Sequence, residues 1–178
     1  MKSHNVARQS AKVPTSGALK TLENGQKPIT IRKILVPTDF SPASMKSLSC
    51  ALRLAEELNS EITLLHVLEP ETPLTLAGRP IAAAFSEQEL ADAEEGLRGL
   101  VHSAKAAGGA GTKSILRTGV ATHEIVEAAK DLDVDLIVIA THGFTGWKHF
   151  AIGSTAERVA RAAPCPVLVV REKEHDFI

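Results

Sequence analysis

Aromatic side chains are nearly absent from this chain, which has five Phe, one Trp and no Tyr among its 178 residues. A protein that stacks single-stranded bases needs an aromatic platform, and this sequence does not supply one. Its formal net charge of −1 also lacks the basic excess that a phosphate backbone attracts. We therefore expect no binding to nucleic acid.

Long apolar runs and cysteines are scarce too. No run approaches the roughly 18 apolar residues of a transmembrane helix, and residues 1–28 lack the apolar centre of a secretory signal. Cys50 and Cys165 are too few for a disulfide framework or a zinc site. These absences predict a cytoplasmic protein without membrane contact, in which both thiols stay reduced.

The chain is long enough for one domain, because 178 residues with a 44% hydrophobic fraction can bury a substantial core. Residues 1–28 mix small polar side chains with lysines and have few large apolar ones, so we expect a flexible extension. The predicted folded domain occupies residues 29–173. Residues 174–178 then form a short tail.

Short apolar runs alternate with amphipathic helical patterns along this domain. The runs indicate strands near residues 34–37, 62–68, 113–117, 134–139 and 167–171, and the helical patterns cover residues 41–58, 86–107, 122–130 and 155–163. Residues 69–85 hold three prolines and read as a loop. This alternation predicts an α/β fold: a doubly wound, five-stranded parallel sheet with helices on both faces, Rossmann-like, in strand order 3-2-1-4-5.

A glycine-punctuated loop follows the fourth predicted strand and ends in Gly153 and Ser154, where the last helix begins. Unpaired N–H groups and the macrodipole at a helix start favour a phosphate, and glycines let the backbone approach it. In doubly wound sheets, ligands bind beyond the carboxyl ends of the strands where the strand order reverses. We therefore predict a phosphate site between the first and fourth strands.

Other nucleotide and metal motifs are missing. Residues 108–114 resemble a Walker A loop, but Thr112 stands where a glycine is needed, and the segment leads from a helix into a strand. No G-x-G-x-x-G follows the first strand, and no cysteine and histidine cluster has zinc spacing. The predicted site therefore depends on the loop after the fourth strand.

That loop resembles the G-x2-G-x9-G-[ST] signature of ATP-binding universal stress proteins, with Ala140, Gly143, Gly153 and Ser154 at the motif positions. The resemblance extends over residues 31–171. It includes Ile-Leu-Val-Pro-Thr-Asp-Phe-Ser at residues 34–41, Leu-His-Val at 65–67 and Pro-Cys-Pro-Val-Leu-Val-Val at 164–170. Two departures stand out: Ala140 replaces the first motif glycine, and Phe144 stands where many relatives carry a basic residue.

The resemblance implies that the ligand is ATP, with Mg²⁺ or Mn²⁺. It implies that Asp39 meets the adenine and ribose side, that Val67 gives backbone contacts to adenine, and that the motif residues surround the phosphates. The binding residues implied are Pro37, Thr38, Asp39, Val67, Ala140, His142, Gly143, Gly153, Ser154 and Thr155.

Each of these residues also has a plainer interpretation. Asp39 can belong to the polar turn before the helix that starts at Ser41, and His142 can serve a structural hydrogen bond. Ser154 lies three residues before Glu157, which is the spacing of a capping box. Gly143 and Gly153 can serve tight turns only.

The family resemblance implies a nucleotide-dependent sensor or regulator in stress adaptation, acting as a homodimer paired through Val167–Val170. The alternative is a homodimeric interaction protein of the same fold that binds no nucleotide. Phosphoryl transfer needs metal-holding carboxylates, and the crevice loops supply no acidic pair, so we expect no catalytic residue and at most slow ATP hydrolysis.

Overall fold

The computed structural model of the protein describes residues 30–70, 75–76, 79–80, 85–141 and 153–171. The predicted extension at residues 1–28 and the predicted tail at 174–178 lie outside these ranges, as do His142, Gly143 and Phe144. The bounds of the five sheet strands and four helices given below agree with the predicted ones to within one residue, except that the fourth strand starts two residues later than predicted.

Five parallel strands form the sheet. They are β1 (Lys33–Pro37), β2 (Glu61–Leu68), β5 (Lys113–Thr118), β6 (Leu136–Ala140) and β7 (Val167–Val170). Their order is β5-β2-β1-β6-β7, which confirms the predicted 3-2-1-4-5 topology. Inside the predicted loop, β3 (Thr75–Leu76) and β4 (Arg79–Pro80) form an antiparallel pair. Two-residue strands are too short to show a periodic pattern, so the sequence did not indicate them.

Within the described ranges, four helices connect the strands: α1 (Pro42–Leu58), α2 (Glu87–Ala106), α3 (Ala121–Asp131) and α4 (Ser154–Ala162). The start of α1 is set locally, because Ser41 caps it and proline occupies the first turn. Its end is also local, since Asn59 adopts a left-handed conformation at φ 53° and returns its N–H to Ala55 O.

Alternate residues of each central strand supply two separate cores. Ile34 and Val36 of β1 point toward α1 and α2, where they share a cluster with Leu97. Leu35, between them, points to the other face and packs with Ile125 of α3 and Val159 of α4. Helices therefore cover both faces of the sheet, which explains why its central strands are apolar without alternation.

The strand order reverses between β1 and β6. The chain proceeds from β1 to β2 and β5 on one side, and β6 and β7 then add on the other side. In sheets of this topology, ligands bind in a crevice beyond the carboxyl ends of the two strands at the reversal, which here are β1 and β6. Four described residues of the predicted site lie at or directly after the ends of these two strands: Pro37, Thr38, Asp39 and Ala140.

Candidate functional site

The turn after β1 is fixed by a short hydrogen-bond network. Thr38 is buried, its N–H donates to Leu65 O at 2.8 Å, and its Oγ1 accepts the N–H of Phe40 at 3.1 Å. Asp39 is half-buried and accepts the N–H of Ser41 through Oδ1 at 3.1 Å. The turn role considered for Asp39 is therefore observed, and it orients the carboxyl group at the end of β1.

Val67 lies one residue before the end of β2 and is half-buried. The next residue, Leu68, accepts a hydrogen bond from the N–H of Gly119 at 3.0 Å, which ties the end of β2 to the segment after β5. Gly119 has a φ of 143°, a backbone conformation that a side chain disfavours. This backbone bond fixes the end of β2, next to Val67.

Ala140 ends β6, where it is paired in register with Val170. Its φ is not positive, so the methyl group that replaces the family's glycine causes no backbone strain of the kind that a side chain suffers in the left-handed region. The following residue, Thr141, is buried, donates its N–H to Val170 O and accepts the N–H of Gly153 at 2.6 Å. This last bond joins the end of β6 directly to the start of α4.

The start of α4 has no side-chain cap. Gly153 is the N-cap residue, with φ −54° and ψ 147°, and Ser154 and Thr155 are the first helical residues. The capping box considered for Ser154 is wrong, because the helix already includes Ser154, and the Glu157 carboxylate instead pairs with Arg161 at 2.9 Å. Among the described residues, no side chain caps the N–H groups of Ser154, Thr155 and Ala156.

The other three described helices begin differently. Ser41 Oγ accepts the N–H of Ser44 at the start of α1, and Ser86 and Glu89 form a capping box at the start of α2. The N-cap residue of α3, Val120, cannot cap, but the Glu69 carboxylate accepts the N–H of Ala121 from 52 residues away. Within the described ranges, α4 is the one helix whose first turn lacks a protein acceptor.

No cluster of three or more His, Cys, Asp or Glu side chains that could hold a metal ion occurs in the part of the chain that the structure describes. Within the same ranges, no helix combines the length and the apolar character needed to cross a membrane.

Fold and site together place the protein in the Rossmann-like α/β class, with a switch-point crevice bordered by an uncapped helix N-terminus. Residues 30–171 match the model of the Universal stress protein family, and the chain belongs to that family.

Relatives and solved structures agree with this assignment. A universal stress protein of Methanocaldococcus jannaschii is 33% identical over 157 residues, which cover 87% of this chain and 89% of the relative. The structure of universal stress protein UspA from Lactobacillus plantarum matches with a TM-score of 0.66 at 26% identity, covering 80% of this chain and 99% of that one. A universal stress protein in complex with cAMP shares the fold, with a TM-score of 0.62 at 23% identity, covering 81% of this chain and 99% of that one.

The described part of the predicted site thus divides into two groups. Pro37, Thr38 and Asp39 end or follow β1 beside Val67 of β2, while Ala140 connects through Thr141 to Gly153, Ser154 and Thr155. Three side chains near the first group were not predicted from the sequence. The rings of His66 and Phe40 contact each other, and the Glu69 carboxylate caps α3. Gly96 was one available sign that another residue packs closely against α2, because a glycine weakens a helix and needs a reason to stand inside one.

Proposed function

We propose that the protein binds ATP, with Mg²⁺ or Mn²⁺, in the crevice between β1 and β6 and acts as a nucleotide-dependent sensor or regulator in stress adaptation. The single observation that carries this proposal is the uncapped first turn of α4, held to the end of β6 by the bond from Gly153 N–H to Thr141 O.

The phosphate end of the ligand fits this helix start. Three successive N–H groups, on Ser154, Thr155 and Ala156, precede the first intrahelical bond, which Glu157 N–H makes to Gly153 O. Unsatisfied N–H groups at a helix start carry about half a positive charge, which favours an anion. Ser154 is exposed and Thr155 half-buried, so their hydroxyl groups are available to the same ligand.

The nucleoside end fits the ends of β1 and β2. A half-buried carboxylate such as that of Asp39 can accept hydrogen bonds from ribose hydroxyls, and the half-buried Val67 offers an apolar side chain and peptide groups to a base. The cAMP complex of a universal stress protein adds support, since its ligand is an adenine nucleotide and its fold is shared.

We expect a divalent cation to enter as part of the ligand. Mg²⁺ is commonly bound through substrate phosphates, so the phosphates would bring the cation and the helix start would hold the phosphates. The metal would neutralise phosphate charge. The protein's part would be to bind and orient the nucleotide.

The proposal includes a homodimer paired through β7. This strand is at the edge of the sheet, and Val167, Leu168 and Val169 are only half-buried within one chain. An apolar edge strand of this kind favours pairing with a second copy, and two-fold symmetry would bury both edges. A dimer that binds no nucleotide is the alternative function.

Thermal denaturation with and without millimolar Mg-ATP, with AMP as the control ligand, tests the nucleotide proposal. A ligand at 100 times its Kd stabilises the native state by about 2.7 kcal/mol. For a protein of this size, that corresponds to a Tm rise of roughly 5–10 °C. We expect the rise with ATP to exceed that with AMP. A Tm unchanged by either ligand would reject the nucleotide site and leave the dimer-only function.

A further inference from the structure

Phe40 adopts a backbone conformation that large side chains avoid. Its φ is 62°, in the left-handed region that glycine and asparagine enter most readily. It directly follows Asp39, the carboxylate at the end of β1. An aromatic residue held in this conformation must be stabilised by its surroundings, because local preference alone opposes it.

The Phe40 ring is held between two elements. On one side its centroid lies 4.4 Å from that of the His66 ring of β2, at a tilt of 38°. On the other side it lies so close to Gly96 of α2 that a Cβ there would be 2.9 Å from ring atoms Cε1 and Cζ. Gly96 therefore provides the space that the ring occupies. By contrast, Gly99 in the same helix has no atom within 4 Å of an added Cβ.

His66 fixes the residue on the other side of Asp39. Its Nδ1 lies 2.8 Å from Thr38 O, and a carbonyl oxygen only accepts hydrogen bonds, so Nδ1 carries the proton. Thr38 N–H donates to Leu65 O at 2.8 Å. Both main-chain polar groups of Thr38 are thus bound to β2. Asp39 sits between this anchored residue and the packed Phe40.

We propose that Phe40, His66 and Gly96 form a positioning unit that holds the Asp39 carboxylate at the crevice without contacting the ligand. Phe40 packs with the core on the α1 and α2 side of the sheet, whereas Val67 packs with the core on the other face. The unit therefore acts from the face opposite to the proposed adenine contact. This inference rests on the proposed nucleotide site for its affinity readout only.

Two Gly→Ala variants of the full-length protein test the unit. Gly96→Ala places a methyl group against the Phe40 ring, and Gly99→Ala is the matched control because its methyl meets nothing. In the ligand-free protein, we expect Gly96→Ala to shift the ¹³C signal of the Asp39 carboxyl group and Gly99→Ala to leave it unchanged. An Asp39 signal that moves equally little in both variants overturns the inference.

Calorimetric titration of Mg-ATP, well below each variant's Tm, supplies the affinity readout. We expect Gly96→Ala to weaken binding about tenfold, which corresponds to losing one hydrogen bond's worth of free energy, and Gly99→Ala to bind like the original protein. If the original protein binds no ATP, the proposed function fails. The Asp39 signal alone then decides whether Phe40, His66 and Gly96 position the Asp39 carboxylate.

Rescue by a conservative substitution separates positioning from a general structural role. His66→Asn keeps an N–H donor close to the place of Nδ1, whereas His66→Leu removes it. We expect the Asn variant to bind ATP within about threefold of the original protein and the Leu variant to lose about tenfold. Equal losses in the two variants would mean that the bond to Thr38 O does not position Asp39, which overturns the part assigned to His66.

Discussion

The start of α4 contrasts with the starts of the other three described helices. Ser41, the Ser86 and Glu89 pair, and Glu69 supply acceptors to α1, α2 and α3, whereas the first turn of α4 receives none from a described side chain. The caps of α1 and α2 are thus local residues, and the cap of α3 is a distant one. The uncapped helix, α4, begins at the switch point of the sheet, where a bound anion would accept hydrogen bonds from the N–H groups of its first turn. Capping by the protein and binding of a phosphate are alternative ways to satisfy the same N–H groups.

The largest expected effect comes from removing one N–H group from α4 without breaking the helix. Ser154 is the first helical residue, a position that accepts proline, and Gly153 at φ −54° and ψ 147° has the extended conformation required before proline. We expect Ser154→Pro to weaken Mg-ATP binding about tenfold or more in a calorimetric titration, because a hydrogen bond to a charged group contributes about 1.5–3 kcal/mol.

Ser154→Ala is the matched control, since it removes the hydroxyl group but keeps the N–H. We expect it to lose less affinity than Ser154→Pro, and both variants to melt within a few degrees of the original protein. If Ser154→Pro binds ATP as tightly as the original protein, the α4 amides do not hold the phosphates, and the contrast between the helix starts has no functional meaning.

An intermediate effect is expected at α3, where the cap is contributed by a distant residue. Glu69→Ala removes the acceptor of the Ala121 N–H and should lower stability by about 1 kcal/mol, as the loss of a helix cap typically does. The corresponding fall in Tm is roughly 2–4 °C, measured by thermal denaturation. Glu69→Gln retains an oxygen acceptor and should lose less. An unchanged Tm for Glu69→Ala would show that α3 needs no cap. The start of α3 would then no longer contrast with the start of α4.

The smallest effect is a pH dependence at the start of α2. The pKa of Glu89 lies below its usual value of 4.5 because it accepts hydrogen bonds from the Ser86 side chain and N–H. A lowered pKa in the folded state contributes stability that is present above 4.5 and is lost as the pH falls through the folded pKa. We expect Tm to fall less on acidification in Glu89→Gln than in the original protein. Parallel acid profiles for the two proteins would contradict this.

Much of the fold was predictable because its signals are local or periodic. The apolar run at residues 34–37 and the strong helical periodicity that follows it indicated β1 and α1, and Ser41 followed by proline located the helix start. The predicted sheet order was confirmed, and the order reverses between the first and fourth predicted strands, which were expected to flank the site. The short β3 and β4 pair was missed because two residues cannot show a period.

The binding role of the site residues stays a prediction, and the contacts around them were harder to predict than the fold. The Asp39 carboxyl group and the start of α4 were located from the sequence, but the contacts that hold them were not. Ser86 and Ser154 each precede a glutamate by three residues, and only the first pair forms a capping box. The sequence signature was the same in both cases. The difference arises because Ser86 is the N-cap residue of α2, whereas Ser154 is already the first helical residue of α4. The N-cap residue of α4 is Gly153, whose N–H donates to Thr141 O.

The sequence by itself determined the alternation of strands and helices, the apolar cores and the glycine-rich approach to α4, because each depends on residues close together in the chain. Only the tertiary structure decided that Glu69 caps α3, that His66 binds Thr38 O, and that Phe40 fits against Gly96. Those contacts join residues from 28 to 56 positions apart, and strand register and helix packing bring them together. Hydrogen bonds and van der Waals contacts of this kind depend on distance in space, which spacing along a chain does not encode.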